Sequence, residues 1–261
     1  MRDLPPGWAT DLAVLELTGS TVDDHGDHLV VRSPDNPDYH WGNFVFVTDP
    51  ESVDEAGRWV ATFHREFPDA SYLAIGLARM PDDEASWTPH GVALEAEEVL
   101  TTRTLPTQTP LAQGYSVRAV CGDDWDQLTA REVADNARTG DYEPLSHARF
   151  AAARTATQRA LSEGGAAQFF GAFAAESLVA SLGIVQCGPI ARYQSVITDP
   201  EHRRRGLASH LLGVAARWAG DQGCNEWVIL TDVGNPAGRV YRRLGFQRTT
   251  GNAQAYRKPP R

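Results

Sequence analysis

The chain has 261 residues, 42% of them hydrophobic, which is enough for one large or two ordinary domains, and we expect two. No apolar run reaches the roughly 18 residues of a membrane helix, and the N-terminus lacks the apolar core of a signal peptide, so we expect a cytoplasmic protein without a membrane partner. The net charge of −10 is uneven, because residues 1–110 carry 20 Asp and Glu against 6 Arg, whereas residues 111–261 carry 14 against 18 Lys and Arg.

Apolar spacing in the first half predicts an α/β domain, with an amphipathic helix first and a β-α-β unit with extra strands after a turn-rich segment over residues 21–28. The predicted elements are a helix over Thr10–Thr18, strands over His28–Arg32 and Gly42–Thr48, a helix over Ser52–Phe67, and strands over Tyr72–Arg79 and Val92–Val99.

Few groups in this half indicate chemistry. The segment Tyr39–Phe44, YHWGNF, is either a ligand-binding wall or the aromatic start of a strand, and packing is favoured. His25 and His28 lie among aspartates, but such short polar turns are usually solvated, and the three cysteines lack a C-x-x-C pair. We therefore expect no metal site and no disulfide framework.

The segment Thr101–Gly114 is rich in threonine and proline and has little apolar periodicity, as in a linker. We predict a smaller accessory domain over residues 1–105, a linker over 106–114 and a second domain over 115–261. In the second domain we predict strands over Tyr115–Val120, Ala167–Ala174, Leu178–Gln186, Ile190–Thr198 and Trp227–Thr231, and helices over Asp124–Arg138 and His147–Glu163, after Gly206, and after Asn235.

The stretch Asp199–Leu212, DPEHRRRGLASHLL, follows a β-rich run and precedes an amphipathic one, which predicts a strand, a turn and a helix. Gly206 lets another group approach the backbone closely. The exposed helix N-terminus has unpaired N–H groups and the positive end of the helix dipole, and Arg203, Arg204 and Arg205 add positive charge. This turn is suited to bind a diphosphate.

The spacing Arg203-x-x-Gly206-x-Ala208 resembles the Q/R-x-x-G-x-G/A signature of the GNAT-type N-acetyltransferase superfamily, and the later NPAGRVYRRLGF, Asn235–Phe246, resembles its second motif. The resemblance implies a mixed, mostly antiparallel sheet flanked by helices, with acetyl-CoA as co-substrate. Because no such signature precedes residue 110, the first half would be a degenerate GNAT-like repeat or an accessory domain that shapes the substrate site.

The resemblance also implies the cofactor contacts. The strand end is expected to separate from the next strand and to offer backbone groups to pantetheine, and the turn is expected to bind the pyrophosphate. Asn235 is one position closer to Tyr241 than is usual in the family, so it is either a cofactor contact or only the N-cap of a helix that begins with proline. The predicted cofactor residues are Val196, Ile197, Thr198, Arg203, Arg204, Arg205, Gly206, Leu207, Ala208, Ser209 and Asn235.

For catalysis, Tyr241 matches the position of the family's proton donor to the departing thiolate, with packing in the core as the alternative. The base is open among Asp232, Glu143 and water. In the family, the first two helices of the domain and the loop between them cover the acceptor. Glu143 lies in the corresponding loop here, so Tyr142, Glu143 and His147 are candidate substrate contacts.

These features predict an acetyl-CoA-dependent N-acetyltransferase that acts on an amine of a small molecule or peptide. The alternative is a CoA-binding regulatory or scaffold module without catalysis. The arginines are too dispersed for a nucleic-acid partner. The acidic half could attract a cationic amine or be ordinary solvated surface. Whether two chains pair as a homodimer is left open.

Overall fold

The computed structural model describes residues 4–260, which divide into two compact units. The first unit comprises residues 4–97, 133–154 and 250–260, and the second unit comprises Glu98–Glu132 and Thr155–Thr249. The helices are α1 (Pro6–Leu17), α2 (Ala56–Glu66), α3 (Asp124–Thr139), α4 (Pro144–Glu163), α5 (Leu207–Asp221) and α6 (Pro236–Arg243). The strands are β1 (Thr21–Asp24), β2 (His28–Arg32), β3 (Phe44–Val47), β4 (Leu73–Leu77), β5 (Ala93–Thr102), β6 (Ser116–Ala119), β7 (Ala167–Ala174), β8 (Ser177–Cys187), β9 (Ile190–Thr198), β10 (Glu226–Asp232), β11 (Gln247–Arg248) and β12 (Asn252–Arg257).

In the first unit the strand order is β1-β2-β3-β4-β12-β5, where only the first half of β5 takes part. The β3–β4 pair is parallel and the other pairs are antiparallel. Strands β3 and β4 are apolar throughout, as expected for strands buried on both faces. Trp8 of α1 stacks on Phe46, with ring centroids 4.5 Å apart, and α2 buries Trp59 and Phe63 in the same core.

In the second unit β6, β7, β8 and β9 form an antiparallel meander, and β10 lies parallel to β9. The second half of β5 follows β10 and pairs with β11. Helix α5 buries Leu207, Leu211 and Leu212 against this sheet, where the Tyr193 hydroxyl donates a 2.8 Å hydrogen bond to the Leu212 carbonyl. The buried stripe of α5 therefore fixes the helix, and its N-terminus, on the sheet.

The predicted fold class, a mixed and mostly antiparallel α/β arrangement flanked by helices, is confirmed. One local expectation was wrong, and one strand was missed. Residues 21–24 were expected to be turn, but they form β1 because each pairs with a residue of β2, and β12 was not predicted. Helices α1 and α4 begin three or four residues before their predicted starts, each at a proline. None of the helices within residues 4–260 is long and apolar enough to cross a membrane.

The compact units are not consecutive blocks of sequence. The C-terminal strand β12 inserts between β4 and β5 in the first unit, while the second half of β5 joins the second unit. The end of α3 and the start of α4, residues 133–154, also belong to the first unit. The predicted domain boundaries at 105 and 115 stay a prediction about which parts fold independently.

Candidate active site

The turn between β9 and α5 is held in place at its first residue, Asp199. Its backbone N–H donates to the Val179 carbonyl at 2.9 Å, and its carboxylate accepts hydrogen bonds from Nε and Nη2 of Arg131 at 3.0 and 2.7 Å. Further along, Arg203 Nε donates to the Thr198 carbonyl at 3.1 Å, which closes the turn onto the strand end. The turn is thus a fixed structure, although Arg203, Arg204 and Arg205 are exposed.

Gly206 is the N-cap of α5, with φ +77°, in the left-handed region that glycine adopts without strain. It has no side chain to cap the helix, and the N–H groups of Leu207, Ala208 and Ser209 have no carbonyl partner inside a helix that begins here. Among residues 4–260, no atom lies within 4 Å of the place where a Cβ at 206 would be. The helix N-terminus is therefore open and rich in hydrogen-bond donors.

The end of β9 carries a β-bulge. Pairing with β8 shifts between Ser181 and Gly183, so that β9 has one extra residue, and Ser195 at this point has φ +50°. In the described chain, β9 and β10 pair only from Ile190 to Arg192 on the β9 side, although β9 continues to Thr198. The end of β9 therefore runs unpaired with β10, as the resemblance led us to expect.

Left-handed backbone at residues other than glycine costs roughly 1–3 kcal/mol and is concentrated at functional sites. Of the three such residues in the described chain, Ser195 and Arg204 flank the strand end and the turn. The third, Ala175, lies in the hairpin between β7 and β8. Backbone strain therefore gathers at the predicted cofactor site.

Tyr241 lies on the buried side of α6, with 4% of its surface exposed, and its ring meets Phe246 edge-on at 6.4 Å. Burial raises the pKa of Tyr241 to about 12, so the phenol is protonated at neutral pH. The structure places this side chain in the core of the second unit, and both sequence interpretations, proton donor and packing, remain compatible with that position.

Asn235 caps α6, which was one of the two alternatives for this residue. Its side-chain oxygen accepts from the Ala237 N–H at 3.0 Å, Pro236 occupies the first helical position, and its amide approaches Asp232 Oδ2 at 3.4 Å. Asp232 is exposed at the end of β10. The structure thus brings Asp232 and Asn235 together at the start of α6. The cofactor contact of Asn235 stays a prediction.

Glu143 caps a helix in the first unit. Its carboxylate accepts from the backbone N–H groups of Leu145 at 3.0 Å and Ser146 at 2.6 Å. These backbone hydrogen bonds lower the pKa of Glu143, and a weaker base is less suited to take a proton at neutral pH. Tyr142 and His147 stack beside it in the same unit, with ring centroids 5.6 Å apart.

Sequence reasoning missed Glu98, which lies on β5 and is only 7% exposed. Its Oε1 accepts from Arg242 Nη1 at 2.6 Å, and Arg248 Nε lies 3.7 Å away. A Cβ on Gly238 would come 2.6 Å from Glu98 Oε2, so a larger residue at 238 would require the Glu98 carboxylate to shift. The only local signal is a glutamate directly before the apolar residues of a strand, and it does not reveal the contact with Gly238, which is long-range.

Residues 131–246 match the family described as "Acetyltransferase (GNAT) family". An aminoglycoside N(6')-acetyltransferase type 1 from Serratia marcescens is 34% identical over 65 residues, which cover 24% of this chain and 44% of that protein. The chain therefore spans less than half the length of this curated relative.

Solved structures resemble nearly the whole chain. A GCN5-related N-acetyltransferase from Kribbella flavida has a TM-score of 0.65 at 16% identity, with 97% of this chain and 96% of that chain covered. A tandem GNAT protein from the clavulanic acid biosynthesis pathway has a TM-score of 0.57 at 15% identity, with 100% and 90% covered. At this identity the likeness concerns the fold.

Proposed function

We propose that this chain, whose residues 131–246 form a domain of the GNAT acetyltransferase family, transfers an acetyl group from acetyl-CoA to an amine of a small molecule or peptide. The observation that carries the proposal is the open helix N-terminus at Gly206, which adjoins a strand end that has separated from its neighbour. The helix N-terminus suits the pyrophosphate of acetyl-CoA, and the strand end suits the amides of its pantetheine arm.

The turn fits a pyrophosphate. The free N–H groups of Leu207, Ala208 and Ser209 and the positive end of the α5 dipole favour an anion, and the open space above Gly206 lets phosphate oxygens approach the backbone. Arg203, Arg204 and Arg205 are exposed, so their charges are screened by salt and contribute less than the backbone.

The strand end fits pantetheine. Beyond the bulge at Ser195, backbone groups of Val196, Ile197 and Thr198 are not engaged by β10 in the described chain. Val196 and Thr198 are half-buried and Ile197 is exposed, so a bound amide can reach this strand end and take the place that β10 leaves. Acetyl-CoA, the co-substrate of this family, would supply a thioester whose C–S bond breaks as the amine forms a C–N bond.

Tyr241 is the proposed donor to the departing sulfur. Its pKa of about 12 lies above the roughly 8.5 of a thiol in water, a gap of about 5 kcal/mol. Tyr241 therefore donates a hydrogen bond to the sulfur as charge develops, and full proton transfer requires a sulfur made more basic by its own burial. Of the candidate bases, Asp232 is exposed, with its carboxylate 3.4 Å from the Asn235 amide, and we carry it forward with water, whereas Glu143 is engaged as a cap.

Turnover of acetyl-CoA with an amine panel tests the proposal. The panel contains an aminoglycoside, a polyamine and a peptide with a free N-terminus, and thiol release is measured. We expect amine-dependent release, and a kcat about 100-fold lower in Tyr241→Phe. Tyr193→Phe is the matched control, because Tyr193 is also buried and also meets Phe246 edge-on. It should lose about 1 kcal/mol of stability and keep kcat.

Saturable CoA binding without turnover of any amine would favour the alternative, a CoA-binding module without catalysis. Equal kcat in Tyr241→Phe and wild type would rule out Tyr241 as the donor, while the proposed acetyltransferase activity would stand.

A further inference from the structure

The loop between β2 and β3 is rigidly built. The buried side chain of Asn43 donates to the carbonyls of Asn36 at 3.1 Å and Tyr39 at 2.9 Å, and its oxygen accepts from the Ser33 N–H at 3.0 Å. We call residues 36–40 the anchor loop. Because these bonds hold its backbone from within, its outward side chains are presented in a fixed arrangement.

The anchor loop contacts residues 139–150, which join α3 to α4 and which we call the acceptor segment. Asp38 Oδ1 accepts from Ser146 Oγ at 2.6 Å, and the Asp38 carboxylate accepts from Arg149 Nε at 2.9 Å and Nη2 at 3.3 Å. Such two-pronged Arg–carboxylate pairs are geometrically specific. Partial burial opposes ionisation, but the hydrogen bonds from Arg149 and Ser146 hold the pKa of Asp38 below its usual value.

Neighbouring residues of the anchor loop extend this contact. Asn36 Nδ2 donates to the Phe150 carbonyl at 3.3 Å, and the rings of Tyr39 and Phe150 lie 5.4 Å apart. His40 meets the Tyr142 ring edge-on at 5.9 Å. Three consecutive residues, 38 to 40, thus contact different parts of the acceptor segment.

Tyr256 of β12 and Lys258, just after that strand, also lie close to this segment. Lys258 Nζ lies 2.7 Å from Asp141 Oδ1 and 5.1 Å from the centre of the Tyr142 ring. Tyr256 shares a 2.6 Å hydrogen bond with Nδ1 of His40, whose ring meets Tyr142. Two separate parts of the first unit, the anchor loop and residues 256–258, therefore hold the acceptor segment.

We propose that Asp38 is a positioning residue, and that the first unit, through Asp38, sets the shape of the acceptor segment and so determines which amine is accepted. This rests on the proposed function, because the family resemblance alone assigns the acceptor segment to the amine. In the segment, Asp141 is paired with Lys258 and Glu143 caps α4, so their positions, and that of the Tyr142 ring between them, depend on the contacts that hold the segment.

Asp38→Asn is the test, because it keeps the shape of the side chain and removes its charge. Asp54→Asn is the matched control: Asp54 lies in the same unit, has a side chain 30% exposed against 23% for Asp38, and binds Arg79 at 2.8 Å and the Asp83 N–H at 2.9 Å. The amine of the panel with the highest kcat/KM is the substrate. We expect Asp38→Asn to raise KM for that amine about tenfold, because misplaced contacts weaken substrate positioning, and to leave KM for acetyl-CoA within about twofold. Asp54→Asn should change neither.

Hydrogen exchange gives a readout that does not require turnover. Amides of residues 139–150 should exchange about tenfold faster in Asp38→Asn than in wild type or Asp54→Asn, and Arg149→Gln should reproduce the effect without adding to it in the double variant. If Asp38→Asn unfolds, Ser146→Ala removes one bond and carries the same comparison.

Faster exchange with an unchanged KM for the amine would overturn the acceptor role, and so would the same KM increase in Asp54→Asn. Unchanged exchange would overturn the anchoring itself. Absence of turnover by the wild type would instead remove the proposed function, while the exchange data would still decide whether Asp38 holds the segment.

Discussion

Each unit contains a parallel β-α-β motif, β3-α2-β4 in the first and β9-α5-β10 in the second. In both motifs the turn between the first strand and the helix begins with the same four residues. Thr48–Glu51 and Thr198–Glu201 read Thr-Asp-Pro-Glu, and in both a proline starts a single 3-10 turn. After these residues the two copies diverge in sequence, in burial and in strand pairing.

The copy in the first unit is closed. Strands β3 and β4 pair through their last residues, Val47 and Leu77, and Val53 is fully buried beneath the turn. The Ser52 carbonyl accepts a 2.6 Å hydrogen bond from Trp59 Nε1 of α2. The residues that follow are Asp54 and Glu55, whose charge repels an anion.

The copy in the second unit is open. Pairing between β9 and β10 stops at Arg192, three arginines replace the acidic residues, and Gly206 leaves the helix N-terminus uncovered. The same fold element is thus filled by side chains in one unit and open in the other. We infer that only the second unit is suited to hold a diphosphate.

The largest expected effect comes from filling the open turn. Gly206→Glu places bulk and negative charge where phosphate oxygens would bind, and it also forces a side chain into left-handed backbone. We expect CoA affinity to fall at least about 100-fold by calorimetry, because a like charge replaces an anion site. The fold should persist, since the position is open to solvent.

Gly223→Glu is the control for the backbone cost. Gly223 has φ +92°, follows the other end of α5 and has no atom within 4 Å of its Cβ position in the described chain. This variant should lose stability and keep CoA affinity. Unchanged affinity in Gly206→Glu would contradict the comparison, because the open turn would then bind nothing.

A smaller effect on kcat is expected from a change at Glu98, the residue at which the chain first enters the second unit. Glu98→Gln keeps the volume but removes the charge that pairs with Arg242 on α6. We expect kcat to fall about tenfold through displacement of Tyr241, with KM for acetyl-CoA unchanged because the turn at Gly206 is untouched. Glu95→Gln, an exposed change on the same strand, is the control, and an equal loss of kcat there would refute the positioning role.

The elements of the open copy could be predicted because their signals are local. Gly206, the preceding β-rich run and the leucines of α5 are close in sequence, so hydrophobic periodicity predicts the strand, turn and helix together. The resemblance of the motifs at Arg203 and Asn235 added the family, which the comparisons bear out.

The long-range parts could not be predicted in the same way. Strand β12 pairs with β4 although Ala253 and Leu77 are far apart in sequence, and pairing partners leave no local trace. The burial of Glu98 beneath Gly238 has the same cause. The strain at Ser195 follows from a register shift between β8 and β9, which a single strand does not reveal.

The stability of the first unit, which contains the closed turn, should depend on pH through His40. Burial lowers the pKa of His40 to about 4 despite nearby Asp38, and the ring faces Tyr72, Tyr142 and Tyr256. The unfolded chain has the ordinary pKa of about 6.5, so it binds the proton first, and stability present above pH 6.5 is lost as the pH falls toward 4.

We therefore expect Tm to fall between pH 7 and pH 5 by about 3 °C more in wild type than in His40→Gln, which cannot titrate. Exchange in the first unit should report the loss before exchange in the second. Parallel Tm curves for the two proteins would show that His40 does not carry this dependence.

The smallest expected effect distinguishes the contribution of the arginine charges to CoA affinity from that of the backbone N–H groups in the open turn. Arg204 has φ +60° and is exposed, so Arg204→Gly removes one charge and relieves left-handed strain at once. We expect stability to rise by up to about 1 kcal/mol and CoA affinity to fall about twofold at low salt, with the affinity difference vanishing at high salt because exposed charges are screened. Arg239→Gly, which removes an exposed arginine from α6, should lower stability and leave CoA affinity unchanged. A tenfold loss of affinity in Arg204→Gly that persists in salt would mean that the arginines, rather than the N–H groups at the start of α5, distinguish the open copy from the closed one.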